Sequence, residues 1–330
     1  MRNLAIMNIY AAVIIFLLAG CSSNNSTTDD APQNPQPNNI YVVGTRWSED
    51  GDATAWLWSD GQVITFPHTE VDNVAVSGND VYVLGDKGNQ SCYWKVGQPQ
   101  PVKLEGSGST IAISGKDVYV GGTDNKHSIP CYWKNGQKVS LPVNNPADYE
   151  WVSGIAISGN DVYMCGYNYN VSSTGISTAV YWKNGQQVVL AENAIANGIV
   201  VSGNDIYVCG EQLLSSSPFM WTAIYWKNGQ QVVLGLGTTN GIAVSNNDIY
   251  VCGGTCSPGK CTAIYWKNGQ QIVLAENAVA SVATGIAVSG SDVYVSGFYA
   301  ENVKDIKAVY WKNGKKVILG SGIAYDIVVQ

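Results

Sequence analysis

The cysteines are the residues of this chain best suited to chemistry, and two of them form a close pair. Cys256 and Cys261 flank residues 257–260 (Ser-Pro-Gly-Lys), and an antiparallel hairpin would place them opposite each other. An oxidising, exported compartment would permit a bond between such thiols. We therefore predict a Cys256–Cys261 disulfide. A metal site with Cys252 as a third ligand is the alternative, and it lacks a fourth ligand.

Five further cysteines are predicted to be buried thiols. Cys165, Cys209 and Cys252 occupy one register, Tyr-(Met/Val)-Cys-Gly, in successive repeats. Because facing sheets pack about 10 Å apart, their Cα atoms would exceed the limit of about 7 Å for a disulfide. Cys92 and Cys131 lie in a different repeated strand, and we interpret them in the same way.

Histidines and loop carboxylates form no catalytic constellation in the sequence. His68 and His127 are the only histidines, each in a predicted loop without Cys or His at ligand spacing, and the chain has no Gly-x-Ser-x-Gly elbow or phosphate loop. Glu192 and Glu276 occur in two Ala-Glu-Asn-Ala copies. A carboxylate pair is what glycoside hydrolysis requires, but such similar copies favour a structural interpretation. We assign no catalytic residue, metal or cofactor.

Three residue types recur in almost every repeat, and we interpret them structurally. The Asp before each Val/Ile-Tyr-Val strand is expected to bind backbone N–H groups of a tight turn. The Trp of the next strand is expected to pack between sheets, and the Lys after it to be solvated. The sets are Asp80, Asp117, Asp161, Asp205, Asp248 and Asp292; Trp58, Trp94, Trp133, Trp182, Trp226, Trp266 and Trp311; and Lys95, Lys134, Lys183, Lys227, Lys267 and Lys312.

The first twenty residues predict a lipoprotein signal peptide. Arg2 provides a positive start, residues 4–18 are almost wholly apolar, and small residues precede Cys21. The sequence Leu-Ala-Gly before Cys21 resembles a bacterial lipobox. This resemblance implies that Cys21 is lipidated, and Ser22 after it implies sorting to the outer membrane of the cell envelope. A plain signal peptide or a membrane helix is the alternative, although a spanning helix needs about 20 apolar residues.

Residues 21–39 are predicted to be a lipidated, disordered tether. The segment consists almost entirely of polar residues and prolines, which cannot bury enough apolar surface to fold. We therefore expect the protein to meet the membrane through its lipid alone.

The composition favours short strands and argues against nucleic acid as a partner. Only 13% of the 330 residues are charged, and the net charge is −7. Phosphate binding needs a basic stripe, whereas the lysines here are dispersed among the repeats. Outside the first twenty residues, no window has the apolar spacing of an amphipathic helix.

Two motifs recur seven times, in exact or closely related form, at intervals of about 40 residues, in the range of propeller blades and helical solenoids. One is Asp-(Val/Ile)-Tyr-Val, and the other is Tyr-Trp-Lys-Asn-Gly-Gln. In residues 199–234 they predict four strands, a at 199–201, b at 206–208, c at 223–227 and d at 231–234, joined a–b and c–d by tight turns. Strands a to c are apolar on both faces, as expected for sheets covered on both sides.

Sheets stacked radially would cover both faces, which predicts an all-β, seven-bladed β-propeller over residues 40–330 with four-stranded antiparallel blades. The first repeat begins at Ile40 with a b strand, and residues 325–329 form an a strand without a following b strand. We therefore expect the last strand to pair with the first blade and to close the ring as three strands plus one.

The repeats also resemble known families. The consensus Gly-Ile-Ala-Val-Ser-Gly-Asn-Asp-Ile-Tyr-Val resembles the a–b hairpin of NHL-type propellers. Residues 223–234 (Ala-Ile-Tyr-Trp-Lys-Asn-Gly-Gln-Gln-Val-Val-Leu) are similar to bacterial extracellular HAF-type repeats, although the His that precedes Ala-Phe in those repeats is absent. The resemblance covers residues 40–330 and implies a propeller fold, but no reaction.

The b–c and d–a connections vary among repeats, whereas the a–b and c–d turns barely change. In a propeller, the variable connections share one end, and variation is typical of binding loops. This end should also collect the aromatic residues outside the repeat motifs. Together with one loop histidine, they are our candidate ligand-binding residues: Trp47, His127, Tyr149, Trp151, Tyr167, Tyr169, Phe219, Trp221, Phe298 and Tyr299. They could instead fold over the loops and seal the end of the ring.

We expect a monomeric, non-enzymatic binding or scaffold module with a protein or a surface glycan as its partner. An exported carbohydrate-active hydrolase or lyase that uses loop carboxylates is the alternative, and a structural part of an envelope complex is a third. An active site needs unlike residues that converge in one pocket, which near-identical repeats do not favour.

Overall fold

The computed structural model describes residues 39–48, 51–67, 69–124, 129–142, 148–170, 177–216, 219–257, 260–275, 277–302 and 305–330. Within these ranges the chain consists of strands and turns, without helices. Accordingly, none of these residues belongs to a helix with the length and apolarity that a membrane crossing requires.

The strands of the described residues are, in chain order, β1 (Ile40–Trp47), β2 (Ala53–Ser59), β3 (Gln62–Pro67), β4 (Thr69–Ser77), β5 (Asp80–Lys87), β6 (Gln90–Lys95), β7 (Val102–Lys103), β8 (Ser107–Ser114), β9 (Asp117–Thr123), β10 (Pro130–Lys134), β11 (Gln137–Ser140), β12 (Asp148–Ser158), β13 (Asp161–Asn170), β14 (Ser177–Lys183), β15 (Gln186–Glu192), β16 (Ala194–Ser202), β17 (Asp205–Ser216), β18 (Phe219–Lys227), β19 (Gln230–Leu236), β20 (Thr238–Ser245), β21 (Asp248–Ser257), β22 (Lys260–Lys267), β23 (Gln270–Val273), β24 (Ala280–Ser289), β25 (Asp292–Ala300), β26 (Ile306–Lys312), β27 (Lys315–Ser321) and β28 (Ile323–Val329).

These strands pair antiparallel in groups of four, which we call units 1 to 7. Unit 1 contains β28, β1, β2 and β3, and each later unit contains the next four strands, from β4–β7 in unit 2 to β24–β27 in unit 7. Units 3, 4 and 5 are separate sheets. Single parallel bridges, Thr54 with Thr69 and Cys261 with Ala280, join unit 1 to unit 2 and unit 6 to unit 7.

The turns inside each unit have the backbone conformations that their residues favour. Between the third and fourth strands of unit 4, Asn184 and Gly185 have φ values of 49° and 83°, as the type I′ turn of an Asn-Gly hairpin requires. Between the first and second strands of unit 5, Gly203 has a φ of 60°, which glycine adopts without steric cost. Both turns bring the ends of two paired strands together at the same end of each sheet.

The chain termini of the folded part lie side by side. β28 pairs antiparallel with β1, from Ile40 opposite Val329 to Thr45 opposite Ile323. The first strands of the units also lie next to one another in the order β28, β4, β8, β12, β16, β20 and β24, and β24 lies beside β28 again. Strand β28, near the C-terminus, therefore contacts both β1 in the first repeat and β24 in the last repeat.

Several hairpins extend further than the sequence predicted. In unit 5, strands b and c were expected at 206–208 and 223–227, with a loop between them. Instead, β17 and β18 remain paired from Tyr207 opposite Lys227 to Ser216 opposite Phe219. The expected b–c loop is thus largely an extended β-hairpin, because the backbone N–H and C=O groups of this segment can pair across the hairpin whatever side chains they carry.

The repeated tryptophans pack between neighbouring units, as predicted. Trp226 of unit 5 shares a buried cluster with Tyr163 and Cys165 of unit 4, and Trp266 of unit 6 shares one with Cys209 of unit 5. Trp226 and Trp266 are each at most 1% exposed. Burial of a large apolar side chain contributes about 1.5–3 kcal/mol, so that these interfaces supply much of the cohesion between units.

Candidate functional site

A quartet of Asp, Tyr, Lys and Asn side chains recurs at the end of the sheets where the tight turns lie. In unit 4, Lys183 Nζ lies 3.2 Å from Asp161 Oδ2 and 5.2 Å from the centroid of the Tyr163 ring. Asn184 Nδ2 donates to Asp161 Oδ1 at 2.7 Å. The hydrogen bond from Asn184 and that from Lys183 lower the pKa of the Asp161 carboxyl. The same contacts recur around Asp205, Asp248 and Asp292.

This quartet corrects two predictions about the repeated residues. The Asp was expected to accept from backbone N–H groups, but the backbone N–H of Val162 donates to Asn184 Oδ1 at 2.9 Å. The Lys was expected to be merely solvated, but it is paired with the Asp and covers a Tyr ring. Cross-strand register explains both results, because the Tyr of the second strand lies opposite the Lys of the third. The quartet is identical in several units and therefore provides structure rather than selectivity.

At the opposite end, unit 4 carries a hairpin rich in aromatic residues. We call residues 148–152 of β12 and 166–170 of β13 the aromatic hairpin. Tyr149 lies opposite Tyr169, and Trp151 lies opposite Tyr167. Tyr149 and Tyr169 are 52% and 38% exposed, Trp151 is half-buried, and Tyr167 is buried. Burial raises the pKa of Tyr167 to about 12, so this hydroxyl remains protonated at neutral pH.

The four aromatic side chains share the face of unit 4 that points toward unit 5. Side chains alternate between the two faces of a strand, and Tyr167 is two residues from Cys165. Cys165 packs against Ala194 and Ala196 of unit 5. The intervening Glu150 and Asn168 therefore point toward unit 3, and Gln187 Nε2 donates to Glu150 Oε1 at 3.0 Å. The hairpin is thus aromatic on one face and polar on the other.

Unit 5 presents amide side chains toward this aromatic face. Gln212 lies on the same side of β17 as Val208, which packs in the cluster shared with unit 4. Gln212 Nε2 donates to the backbone oxygen of Glu192 at 3.2 Å, and Gln231 Nε2 donates to Gln212 Oε1 at 3.1 Å. β16 lies beside β12, β13 and β14, so that the two units are direct neighbours. Aromatic rings and uncharged amides therefore line the two sides of one interface.

The remaining aromatic candidates do not join this group. Trp47 is exposed at the end of β1 in unit 1, and Trp221 is half-buried in unit 5. Phe298 is buried in unit 7 beside Val282 and Ile323. Tyr299 is also buried, and Lys316 Nζ lies 3.2 Å from the centroid of its ring. The candidates whose side chains are described are thus spread over several units, and among them only the aromatic hairpin brings four together.

Some candidates fall outside the residues or side chains that the structure describes. His68 and His127 are among them, as are Glu276, Cys21 and the whole segment of residues 1–38. Phe219 belongs to β18, but its side chain is not described. Glu192, by contrast, is described and exposed at the end of β15.

Buried carboxyl groups between the units were missed in the sequence analysis. Glu211 of unit 5 is buried, and the backbone N–H of Thr239 in unit 6 donates to its Oε2 at 3.3 Å. Burial raises the pKa of Glu211 to about 8. Alignment of the repeats could have revealed this position, since the residue after each Tyr-x-x-Gly segment is buried although its type varies. These residues are Thr45, Asp86, Thr123, Tyr167, Glu211, Gly254 and Phe298.

A second, half-buried carboxyl joins the C-terminal strand to unit 2. Asp326 Oδ2 accepts a hydrogen bond from the backbone N–H of Val74 at 3.1 Å, and its Oδ1 accepts from Ile327 at 2.8 Å. Burial raises the pKa of Asp326 to about 6. Side-chain to backbone bonds also link later units, since Asn197 donates to Thr239 and Asn240 donates to Ala283. Polar side chains on the first strands of the units thus form hydrogen bonds that link one unit to the next.

The cysteines divide between one disulfide and buried thiols. Cys256 and Cys261 lie opposite each other in the β21–β22 hairpin and are joined by a disulfide. Cys92, Cys131, Cys165, Cys209 and Cys252 are free and buried. Burial raises the pKa of Cys92 to about 11 and that of Cys131 to about 12, which makes them poor nucleophiles at neutral pH. In the described part of the chain, no three His, Cys, Asp or Glu residues are grouped to hold a metal ion.

Comparison with known proteins identifies the fold alone. No protein-family model matches the chain, and no curated protein matches it. Among solved structures, it is similar to the β-propeller domain of the trilobed protease of Pyrococcus furiosus, a domain reported to have an open velcro topology. The TM-score is 0.56 at 10% identity, over 89% of this chain and 97% of that one.

Two enzymes show the same likeness. A polysaccharide lyase described as an ulvan lyase has a TM-score of 0.55 at 10% identity, over 91% of this chain and 93% of that one. The acylaminoacyl peptidase of Pyrococcus horikoshii has a TM-score of 0.55 at 12% identity, over 87% of this chain. The chain spans about half the length of that peptidase, or 51%. The protein is therefore an all-β chain of four-stranded antiparallel sheets, with β-propeller proteins as its structural neighbours.

Proposed function

We propose that the seven units are the blades of a closed β-propeller, in which β28 pairs with β1 to complete the ring. The pairing of these two strands, the neighbourhood of β24 and β28, and the bond from Val74 to Asp326 support this proposal. In such a ring the extended hairpins share one end, and the repeated quartets share the other. Variable residues would then surround one opening of the ring.

We further propose that lipidation at Cys21 anchors the propeller to the cell envelope, at the outer membrane, with residues 21–39 as the link. The lipobox-like Leu-Ala-Gly before Cys21 supports this assignment. Mass spectrometry of the membrane fraction should find Cys21 modified. Cys21→Ala should move the protein to the soluble fraction, whereas the neighbouring Ser22→Ala should keep it in the membrane fraction. An unmodified Cys21 in the membrane fraction would refute the anchor.

The propeller is proposed to act as a binding module through the end that carries the aromatic hairpin. One observation carries this proposal: Tyr149 and Tyr169 are paired and exposed on a hairpin that extends beyond the repeated part of unit 4. Aromatic side chains supply large contact areas with a polar group at the edge, and they are frequent anchors of binding interfaces. A protein or a surface glycan is the proposed partner.

A carbohydrate-active enzyme is the second candidate, because carboxyl groups occur near the same end. Glu150 and Glu211 are buried and belong to different units. A buried acid with a raised pKa is a feature of general acids. However, Glu150 points toward unit 3, and Glu211 accepts a hydrogen bond from unit 6. A pair that cleaves a glycosidic bond must flank one substrate, so this placement favours binding over catalysis.

Capture experiments run beside an activity screen separate the two functions. The lipidated protein, in membranes prepared from its host, is offered envelope proteins and a glycan array, and then a panel of glycosides and uronic-acid polysaccharides. The binding proposal predicts capture without turnover. Turnover that is abolished by Glu192→Gln or Glu211→Gln, in a variant that still folds, would contradict it.

A further inference from the structure

The chemistry of the interface between units 4 and 5 restricts the class of ligand. On the face of unit 4 that points to unit 5, the aromatic hairpin contributes Tyr149, Trp151, Tyr167 and Tyr169. The facing side of unit 5 contributes Gln212, together with Gln231, whose side chain extends from β19 to donate to Gln212 Oε1. The charged residues on the described part of these faces, Asp161 and Lys183, lie at the opposite end and pair with each other. Glu150 and Glu192 lie on the far side of unit 4, and Glu150 bonds to Gln187.

An uncharged surface of this kind does not suit an anionic or cationic ligand. A charged ligand that is taken out of water needs a counter-charge or strong hydrogen bonds. Lys183, the one cation on the described part of these faces, lies at the opposite end and is paired with Asp161. A purely apolar ligand is also a poor match, because the Tyr hydroxyls and the Gln amides would lose water without gaining partners.

Sugar rings match both parts of the surface. The C–H face of a pyranose is apolar and flat, which allows it to lie against an aromatic ring, while its hydroxyl groups both donate and accept hydrogen bonds. A Gln side chain has the same double capacity. Gln231 is exposed, and its amide donates one hydrogen bond to Gln212, so that further donor and acceptor positions are available to a hydroxyl-rich ligand.

The exposed pair of tyrosines fits a chain of sugars better than a single ring. Tyr149 and Tyr169 are cross-strand partners on one face, and Trp151 and Tyr167 follow them deeper in the hairpin. Opposed residues in antiparallel strands lie about 5 Å apart. The four residues therefore line one face of the hairpin, which we call the platform, with the exposed Tyr149 and Tyr169 at its outer end and Tyr167 buried deeper in it.

We propose that this platform, together with Gln212 and Gln231 of unit 5, binds a neutral oligosaccharide or polysaccharide. The inference rests on the proposed binding function and specifies its ligand class. Stacking on the aromatic rings supplies affinity, and the amides select for uncharged, hydroxyl-rich chains. Binding through such contacts depends little on salt, since no ion pair contributes to it.

The test uses the full-length protein on an array of neutral glycans, with cellohexaose, maltohexaose and N-acetylchitohexaose as solution probes and a polygalacturonate oligomer as the acidic probe. We expect at least one neutral glycan to bind, with an affinity that is unchanged between low and high salt. Tyr149→Ala and Tyr169→Ala should weaken binding at least ten-fold. Val63→Ala, at an exposed apolar residue of β3 in unit 1, should leave it unchanged.

The exposed tyrosines allow these substitutions without loss of the fold, and unchanged thermal unfolding of each variant verifies it. If the neutral array fails while an envelope protein is captured in a Tyr149-dependent manner, the ligand class is wrong but the binding function stands. If neither glycans nor proteins bind, both fail. Binding to the acidic probe that disappears in high salt, or binding unaffected by Tyr149→Ala and Tyr169→Ala, would overturn the inference.

Discussion

The repeated Asp, Tyr, Lys and Asn residues show how far single positions could be interpreted from sequence. A structural role was predicted for the Asp and the Lys, because residues that are repeated in almost every unit cannot create one selective site. Their partners were not, because the contact between Lys183 and Asp161 depends on the register of two paired strands. These ion pairs are partly exposed, and such pairs contribute about 0–1 kcal/mol each. Their combined contribution to folding stability therefore depends more on their number than on the strength of any single pair.

Glu211→Gln tests the buried carboxyl between units 5 and 6. Its pKa is raised from 4.5 to about 8, so the folded protein holds a proton that the unfolded chain releases between these values. The folding stability of the native protein should therefore fall relative to Glu211→Gln as the pH rises from about 4.5 to 8. The loss approaches about 5 kcal/mol at the upper limit. Urea unfolding at several pH values measures it.

The control for this pH series is Glu192→Gln, because Glu192 is exposed and lies at the end of the neighbouring strand β15. The folding stability of Glu192→Gln should change with pH in the same way as that of the native protein. The nearby Cys209 has a pKa raised to about 12 by burial, and therefore does not titrate within the range. A Glu211→Gln profile parallel to that of the native protein would show that folding does not raise the pKa of Glu211.

At the scale of elements, strands and tight turns were predicted well, whereas the hairpins at the variable end were not. Asn-Gly and Gly-Asn pairs determine turn conformation locally, so they could be identified from the sequence. The extension of β12 and β13 to Asp148 and Asn170 follows from pairing across the hairpin, which the local sequence does not specify. The aromatic candidates were consequently named as loop residues, although Tyr149, Trp151, Tyr167 and Tyr169 lie on paired strands.

Asn184 tests the turn between the third and fourth strands of unit 4. Its φ is 49°, and its side chain bonds to both Val162 and Asp161. Asn184→Ala removes the side-chain bonds and places a Cβ-bearing residue with no local hydrogen bond in a left-handed conformation, which should destabilise the protein by about 1–2 kcal/mol. Asn184→Gly retains the backbone freedom and should cost less. Equal losses in both variants, measured by urea unfolding, would show that the conformation does not contribute.

At the scale of the whole molecule, the repeats predicted an all-β chain with its final strand beside its first, and β28 does pair with β1. The polar contacts between units could not be predicted, because they join residues far apart in sequence. The bond between Val74 and Asp326 spans 252 positions. Sequence patterns with a period of one repeat report on packing inside and between identical units, but not on the few positions at which the units differ.

Asp326 tests the contact between the C-terminal strand and unit 2. Asp326→Ala leaves the Val74 N–H group without its acceptor, which costs about 1–3 kcal/mol when the group is buried. Asp326→Asn retains an oxygen that can accept from Val74 and should be less damaging. Thermal unfolding compares the two variants. A smaller loss for Ala than for Asn would contradict this role of the carboxyl oxygen.

Closure of the ring is the claim on which the binding end depends, and native-state hydrogen exchange measures it most directly. In a closed ring, the amides of β28 and β1 open only when the whole propeller unfolds. Peptides that cover Ile323–Val329 and Ile40–Trp47 should therefore exchange as slowly as those from β13 and β17. Rapid exchange of β28, with the other units still protected, would mean that the ring is open.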